Sequence, residues 1–268
     1  FMKKIEDLMD LRGKRALITG ATGGIGQEIA LTIAELGGDL ILVDIPNSNY
    51  ELIKKSILDN WSVSIKCIDC DLEDESSRDA LIREIVESNV NLDILINNAA
   101  FVGASNLKGW IEEFSKQSIE TWNRAIEVNL TAPFHLCQAF TPLLKHSKSG
   151  SIINVASIYG VNAPDYSLYK GTSMGNPAGY SVSKGGLIQF TRWLSTTIAP
   201  DIRVNSISPG GVWRNQPKNF VECYESKTPL ERMATEEDFK GIIAYLASDM
   251  SKYVTGQNIN IDGGWTGG

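Results

Sequence analysis

The chain has 268 residues, 43% of them hydrophobic and 21% charged, which suits one domain over residues 1–268 with a single large core. Its formal net charge of −7 and pI of about 5.0 disfavour a nucleic-acid or membrane-surface partner, because neutralising phosphate requires clustered Lys and Arg. No apolar run approaches the ~18 residues of a transmembrane helix and no secretory signal is recognised, so we expect a cytoplasmic protein with a small-molecule ligand.

Short β-rich segments alternate with longer amphipathic segments along the chain. Strands are predicted at Arg15–Thr19, Asp39–Ile45, Ser62–Ile68, Leu92–Ile96, Ser151–Val155, Ile202–Ile207 and Asn258–Ile261. Helices are predicted at Ile25–Leu36, Ser77–Ser88, Ile119–Lys145, Tyr180–Ala199 and Glu236–Ser248. This alternation predicts an α/β fold: a Rossmann-type doubly wound sheet of seven mainly parallel strands with helices on both faces.

A glycine-rich turn joins the first predicted strand to the first predicted helix. Glycines let a ligand approach the backbone, and the start of a helix offers free N–H donors with positive dipole character. The turn therefore predicts a pyrophosphate site of a dinucleotide, with a plain tight turn as the alternative. The residues predicted to form it are Gly20, Thr22, Gly23, Gly24, Ile25 and Gly26.

An acidic residue ends the second predicted strand. Asp44 stands 18 positions beyond Gly26 (44 − 26), close to the ~20 at which a carboxylate meets the adenine ribose in dinucleotide folds. A carboxylate repels a 2′-phosphate, and no Lys or Arg occupies the turn or the positions just after Asp44. The sequence therefore predicts NAD rather than NADP as cofactor, with a solvated Asp at the strand end as the alternative.

Several further motifs follow in order, and together with the glycine spacing they resemble the classical short-chain dehydrogenase/reductase family over essentially the whole chain. They are Asp71-Leu72, Asn97-Asn98-Ala99-Ala100, Asn129, Ser157, Tyr180-Ser181-Val182-Ser183-Lys184 and Pro209-Gly210. The resemblance implies an NAD-dependent oxidoreductase that interconverts a secondary alcohol and a ketone.

The catalytic chemistry also follows from the residue types. An alcohol loses its hydroxyl proton as hydride leaves carbon, but a free tyrosine, with a pKa of ~10, is protonated at neutral pH and cannot accept that proton. Lys184 lies one helical turn beyond Tyr180, so its charge is expected to lower the phenol pKa. Ser157 is expected to donate a hydrogen bond to the substrate oxygen. The alternative is an ordinary surface helix that carries a tyrosine and a solvated lysine.

The resemblance assigns roles to the remaining motif residues. It implies that Asn129 holds a water that relays protons from Lys184, with a structural amide as the alternative, and that Lys184 and Tyr180 also contact the cofactor. Further cofactor contacts are implied for Asp71, Leu72, Asn98, Ala99, Ala100, Pro209, Gly210 and Val212. The chain departs from the family at Ala100, where Gly is commoner, and at Trp213-Arg214-Asn215, where a Thr that contacts the nicotinamide amide is usual.

Two segments, about 158–178 and 211–235, are predicted to form substrate loops. Tyr180 follows Ser157 by 23 positions (180 − 157), a longer separation than is usual in the family, and the extra residues in 160–176 are rich in Gly, Tyr, Ser and Asn. Tyr159, Trp213 and Arg214 are candidate substrate contacts beside Ser157 and Tyr180. Aromatic and amide groups suit polyhydroxylated ligands, so a sugar, sugar acid or nucleotide sugar is expected. The alternative is a packing role for Trp213 and a solvent-facing Arg214.

The same motifs are compatible with two other functions. A sugar epimerase or dehydratase that retains NAD, and a non-catalytic NAD-binding sensor, are the alternatives. The resemblance also implies a homotetramer or homodimer. Four cysteines make a poor disulfide framework. Cys67 and Cys70 are three apart in the strand-like run 64–70 and are expected to point to opposite faces, so structural thiols are predicted. The two histidines, His135 and His146, lack partners at metal-ligand spacing, so no metal is expected.

Overall fold

The computed structural model describes residues 3–88, 90–102, 107–147 and 149–267, and these contain one parallel sheet of seven strands. The strands are β1 (Arg15–Thr19), β2 (Asp39–Asp44), β3 (Ile65–Asp69), β4 (Ile94–Asn97), β5 (Gly150–Val155), β6 (Ile202–Pro209) and β7 (Asn258–Ile261). Their order is β3-β2-β1-β4-β5-β6-β7, and every neighbouring pair is parallel. The predicted doubly wound α/β sheet is confirmed.

Helices cover both faces of the sheet, because successive side chains of a strand point to opposite faces. They are α1 (Ile5–Met9), α2 (Gly24–Glu35), α3 (Glu51–Leu58), α4 (Glu75–Glu87), α5 (Ile119–Ile126), α6 (Ala132–His146), α7 (Ala178–Thr197), α8 (Lys218–Lys227) and α9 (Lys240–Ala247). α2, α3 and α9 share one core with Ile18 and Leu42, whereas α4, α6 and α7 share the other with Leu17 and Ile41. None of the described helices could cross a membrane, since none is both long and apolar enough.

The sheet order reverses its direction between β1 and β4. From β1 the chain builds outwards through β2 and β3, and from β4 it builds the other way through β5, β6 and β7. In open parallel sheets, ligands bind outside the carboxyl ends of the strands at such a point. The ends of β1 and β4, at Thr19 and Asn97, therefore mark the crevice in which the site is found.

The long predicted helix Ile119–Lys145 is wrong as a single element. A π-helical segment, Glu127–Thr131, separates α5 from α6 and includes Asn129. Such segments shift the backbone hydrogen bonds by one residue and occur often at functional sites. The predicted strand Ser62–Ile68 also begins later, because pairing with β2 starts at Ile65.

The two predicted substrate loops pack against each other beside the sheet, and we call them the cap segments. Residues 158–178 contain short 3-10 turns, and residues 211–235 contain α8. Side chains from both segments form a small apolar cluster apart from the main cores: Leu168, Phe220, Tyr224 and Met233. The cap segments are thus one packed unit over the carboxyl end of the sheet.

Candidate active site

The glycine-rich turn between β1 and α2 leaves no room for a side chain at Gly20. Gly20 has a φ of 64°, and a Cβ there would stand 2.8 Å from Cα of Ala99. α2 begins at Gly24, and its N-cap, Gly23, provides no side-chain hydrogen bond, so the first N–H groups of the helix lack a side-chain acceptor. An anion here would meet both these donors and the positive end of the helix dipole.

Asp44 fixes the outer edge of the same turn. Its Oδ2 accepts hydrogen bonds from the backbone N–H of Thr22 at 2.8 Å and from the Thr22 hydroxyl at 2.7 Å. Its Oδ1 accepts from the N–H of Ile45 at 2.9 Å. The carboxylate is therefore held in one position where β2 ends, facing the crevice.

A cavity of about 1250 Å³ runs along the carboxyl ends of the strands. Every residue that the sequence assigned to the cofactor lines it: Gly20, Thr22, Gly23, Gly24, Ile25, Gly26, Asp44, Asp71, Leu72, Asn98, Ala99, Ala100, Tyr180, Lys184, Pro209, Gly210 and Val212. Ser157 and Tyr159 line the same cavity. The fold thus brings together residues that lie far apart in the sequence.

Ser157 and Tyr180 meet in this cavity. Ser157 follows β5, and its Oγ accepts a hydrogen bond from the N–H of Tyr159 at 3.2 Å. Tyr180 lies in the first turn of α7, where burial raises the pKa of its phenol and a hydrogen bond with the Ser157 hydroxyl partly opposes that rise. The phenol is consequently protonated at neutral pH.

Lys184 lies one turn further along α7 and is buried. Its Nζ donates a 2.7 Å hydrogen bond to the carbonyl of Val155 and stands 5.9 Å from the centre of the Tyr180 ring. Burial lowers the pKa of the Lys184 ammonium to about 7. The sequence predicted that the lysine charge would lower the tyrosine pKa, but here desolvation dominates and disfavours the charged forms of both groups.

Asn129 lies behind the cavity, and its side chain joins two elements. Its Oδ1 accepts from the N–H of Phe101 at 2.6 Å, and its Nδ2 donates to the Phe101 carbonyl at 3.3 Å and to Oγ of Ser183 at 3.0 Å. The amide therefore ties the segment after β4 to α7, one residue before Lys184. This placement suits the structural alternative, and the water relay stays a prediction.

The cap segments supply side chains that the sequence did not single out. Those that line the cavity include Tyr169, Met174, Phe220, Tyr224 and Met233. The hydroxyls of Tyr159 and Tyr169 are 2.5 Å apart, and burial raises the pKa of both, so the pair is neutral. Tyr224 accepts from the N–H of Gly211 at 2.6 Å and stacks on Trp265 with ring centres 4.6 Å apart. The i, i+4 spacing of Phe220 and Tyr224 fits one face of a helix, but two residues are too few to have predicted this wall.

Trp213 and Arg214, the two predicted substrate contacts after β6, lie on opposite sides of the chain. Val212 and Arg214 line the cavity, whereas Trp213 is absent from its described lining and 50% exposed. Successive side chains of an extended segment alternate in direction, and Val212 bridges to Ala234 as a strand residue does. The structure therefore places Trp213 outside the cavity, and its contact with substrate stays a prediction. Arg214 instead reaches the glycine-rich turn and pairs with Glu236 at 3.1 Å.

Comparisons with known proteins agree with this geometry. A family profile described as "Enoyl-(Acyl carrier protein) reductase" matches residues 20–266. The 3-oxoacyl-[acyl-carrier-protein] reductase FabG of Thermotoga maritima is 32% identical, over 96% of this chain and 99% of that protein. The NADP-dependent mannitol dehydrogenase of Alternaria alternata is 30% identical, over 98% of this chain and 96% of that protein.

A solved structure shows the same fold. A short-chain dehydrogenase from Leptospira borgpetersenii serovar Hardjo-bovis, described with bound NAD+, superposes with a TM-score of 0.83 and 34% identity, covering 99% of this chain and 97% of that one. Both the family profile and the relatives span nearly the whole chain. The chain therefore belongs to the classical short-chain dehydrogenase/reductase family of oxidoreductases, whose members bind a nicotinamide cofactor.

Proposed function

We propose that the protein uses NAD(H) to interconvert a secondary alcohol and a ketone by hydride transfer. The observation that carries this proposal is the convergence of Ser157, Tyr180 and Lys184 in one cavity with the glycine-rich turn and Asp44. A protein that only bound the cofactor would gain nothing from a buried lysine next to a buried phenol, since each costs desolvation free energy.

The crevice residues fit a nicotinamide dinucleotide. The α2 N-terminus has no side-chain cap, and the turn requires glycine at Gly26, where a Cβ would stand 2.0 Å from the carbonyl oxygen of Gly20. Asp44 offers a fixed carboxylate to ribose hydroxyls and would repel a 2′-phosphate, which supports NAD over NADP. The NAD+-bound relative agrees with this preference and the NADP-dependent mannitol dehydrogenase does not, so the preference rests on Asp44 itself.

In the proposed mechanism, Tyr180 transfers the proton and Ser157 positions the substrate oxygen. The bound nicotinamide supplies or accepts the hydride. The protonated Tyr180 is ready to act as an acid in ketone reduction, because burial raises its pKa. When the alcohol is oxidised, Tyr180 must first lose that proton. Lys184, with a pKa of about 7, is the adjacent group that takes up and releases protons near neutral pH.

The walls beyond Tyr180 support a polyhydroxylated substrate. Rings of Tyr159, Tyr169 and Tyr224 give flat faces and hydroxyls, and Asn176 and Gln216 add amide groups to the lining. Arg124 and Arg214 also line the cavity, but they are paired with Glu73 and Glu236. Among the described residues, then, the lining favours a neutral sugar or polyol over a sugar acid or nucleotide sugar.

A second candidate substrate is a 3-oxoacyl thioester. Met174, Phe220 and Met233 give the cavity an apolar section that suits an acyl chain, and the Thermotoga maritima relative is named for this reaction. The two candidates also differ in the direction of hydride transfer that the assay must follow. A polyol is oxidised with the oxidised cofactor, whereas the 3-oxo group of the thioester is reduced with the reduced cofactor.

One experiment tests the class and separates the candidates. Purified protein is given NAD or NADP with a panel of polyols, sugars, sugar acids and nucleotide sugars, and NADH or NADPH with a 3-oxoacyl thioester, while nicotinamide absorbance is followed. Turnover of a polyol or sugar with NAD supports the proposal, and turnover of the thioester alone supports the second candidate. Cofactor binding without turnover across the panel would move the weight to the sensor or the NAD-retaining epimerase.

A further inference from the structure

Arg214 lies over the glycine-rich turn, outside the substrate end of the cavity. A Cβ built on Gly24 would stand 2.9 Å from Nη2 of Arg214, 3.0 Å from its Nη1 and 2.5 Å from Oε1 of Glu236. Gly24 is the first residue of α2, so the guanidinium and the carboxylate both lie against the N-terminus of that helix.

Hydrogen bonds fix the backbone at Glu236, whereas the Arg214 side chain is half-exposed. Glu236 begins a 3-10 turn whose start is fixed by a reciprocal capping box between Thr235 and Asp238. Arg232 donates two 2.7 Å hydrogen bonds to the Asp238 carboxylate. The Arg214 side chain is 49% exposed and extends from a short turn in which Asn215 has a φ of 58°. The guanidinium could therefore leave Glu236 and bind another anion without any rearrangement of the core.

The charges indicate what that partner is. The Glu236 carboxylate provides a negative charge beside the positive end of α2. A dinucleotide pyrophosphate brings two negative charges to the same helix end, and a planar guanidinium pairs with phosphate oxygens through two parallel hydrogen bonds. The pyrophosphate thus competes with Glu236 for Arg214 and is repelled by Glu236 at the same time.

We propose that Arg214 is a pyrophosphate-binding residue, and that Glu236 holds it over the glycine-rich turn and thereby limits the affinity for the cofactor. This proposal rests on dinucleotide binding in the crevice and is independent of the substrate and of the choice between NAD and NADP. It assigns Arg214 to the cofactor, in place of the substrate contact expected from the sequence.

The proposal predicts that substitutions of Arg214 and of Glu236 change ADP affinity in opposite directions. Dissociation constants of NADH, ADP and adenosine are measured by titration calorimetry for the wild type, Arg214→Gln, Arg214→Lys and Glu236→Gln. We expect Arg214→Gln to weaken ADP and NADH binding about tenfold or more, because a charge-assisted contact is lost. We expect Arg214→Lys to retain part of the affinity, and Glu236→Gln to tighten ADP binding several-fold. Adenosine, which has no phosphate, should bind all variants equally.

A purely structural ion pair predicts a different result. Loss of either partner would then shift ADP affinity in the same direction, or would change adenosine affinity as much as ADP affinity, and either outcome overturns the proposal. Lys218→Gln is the matched control, since it breaks an exposed ion pair with Glu222 in the same segment, away from the cavity lining, and should leave ADP binding unchanged. If Arg214→Gln fails to fold, the comparison of Arg214→Lys with Glu236→Gln decides. A wild type that binds no NADH contradicts the proposed function instead.

Discussion

A Cβ atom on Gly26 would stand 2.0 Å from the carbonyl oxygen of Gly20, closer than any nonbonded contact allows. The obstacle is backbone, which cannot turn aside as a flexible side chain could. We expect Gly26→Ala to lower the free energy of unfolding by roughly 2–4 kcal/mol and to abolish NADH binding. Chemical denaturation and titration calorimetry measure the two effects.

The control for this substitution is Gly241→Ala in α9. A Cβ there meets nothing within 4 Å, so the free energy of unfolding should rise by about 0.5–1 kcal/mol. The variant protein should bind NADH as the wild type does. A Gly26→Ala variant as stable as the wild type would show that the turn relaxes easily, and the close approach of strand and helix would then not define the cofactor crevice.

Tyr180→Phe removes the proposed acid/base and keeps the ring. The phenol oxygen has no predicted contact with the adenine half of the cofactor, so NADH affinity should change little. Turnover should fall about 10²–10⁴-fold, because the proton-transfer group is lost. Ser157→Ala should also reduce turnover, since the hydroxyl is the proposed hydrogen-bond donor to the substrate oxygen. The assay is nicotinamide absorbance with whichever substrate the panel identifies. Undiminished turnover by Tyr180→Phe would remove this residue from the mechanism.

Lys184 makes the stability of the protein depend on pH. Its pKa is about 7 in the folded chain and ~10.4 when unfolded, so between these values the unfolded state binds more protons at this position. The free energy of unfolding therefore rises with pH across this window, by up to about 1.4 kcal/mol per pH unit from this group. Below pH 7 both states are protonated, and the full cost of burying the charge remains.

Lys184→Met should abolish this contribution. Urea unfolding from pH 7 to 9.5 measures the free energy of unfolding of both proteins. That of the wild type should rise with pH relative to that of Lys184→Met. Tyr180 does not interfere, because burial raises its pKa above the ordinary value of 10. The same substitution at exposed Lys252 should preserve the wild-type slope. Parallel curves for Lys184→Met and wild type would mean that the lysine stays charged in the fold.

Asp44→Asn tests the cofactor preference. Loss of the negative charge should weaken NADH binding and relieve the repulsion of a 2′-phosphate, so the ratio of NADPH to NADH affinity should rise about tenfold. Tryptophan fluorescence quenching gives both dissociation constants. Thr22→Val is the control, because it removes a 2.7 Å hydrogen bond to Asp44 but keeps the carboxylate. If Thr22→Val shifts the ratio as much as Asp44→Asn does, the shape of the turn decides the preference and the charge does not.

The sequence was sufficient for the sheet and the cofactor crevice, because apolar strands and a glycine-rich turn leave strong local patterns. It was insufficient for α3 and α8, which bury only Ile53 and Ile57 in one case and Phe220 and Tyr224 in the other. Two buried residues give too weak a periodicity to predict a helix. The π-helical segment at Asn129 was missed because it changes backbone hydrogen bonds without changing the hydrophobic pattern.

The pKa shifts and the placement of Arg214 are tertiary properties. The spacing of Tyr180 and Lys184 on one helix suggested charge stabilisation, but the spacing contains no information on how deeply the fold buries both groups. Arg214 was predicted to face the substrate because it follows β6. Only the packing of the 3-10 turn at Glu236 against α2 brings its guanidinium to Gly24 instead.

Tyr169→Phe tests whether the inserted cap segment forms the substrate wall. The substitution deletes a hydroxyl that lies 2.5 Å from that of Tyr159 in the cavity lining, while the ring that packs near Phe220 remains. For a polyhydroxylated substrate we expect KM to rise about three- to tenfold, with NADH affinity unchanged, because one hydrogen bond to a neutral partner is lost. Tyr166→Phe, on an exposed ring of the same 3-10 turn, is the matched control and should leave KM unaltered. An unchanged KM for Tyr169→Phe with a polyol, or a 3-oxoacyl thioester turned over more efficiently by it, would favour the apolar section of the wall and the acyl substrate.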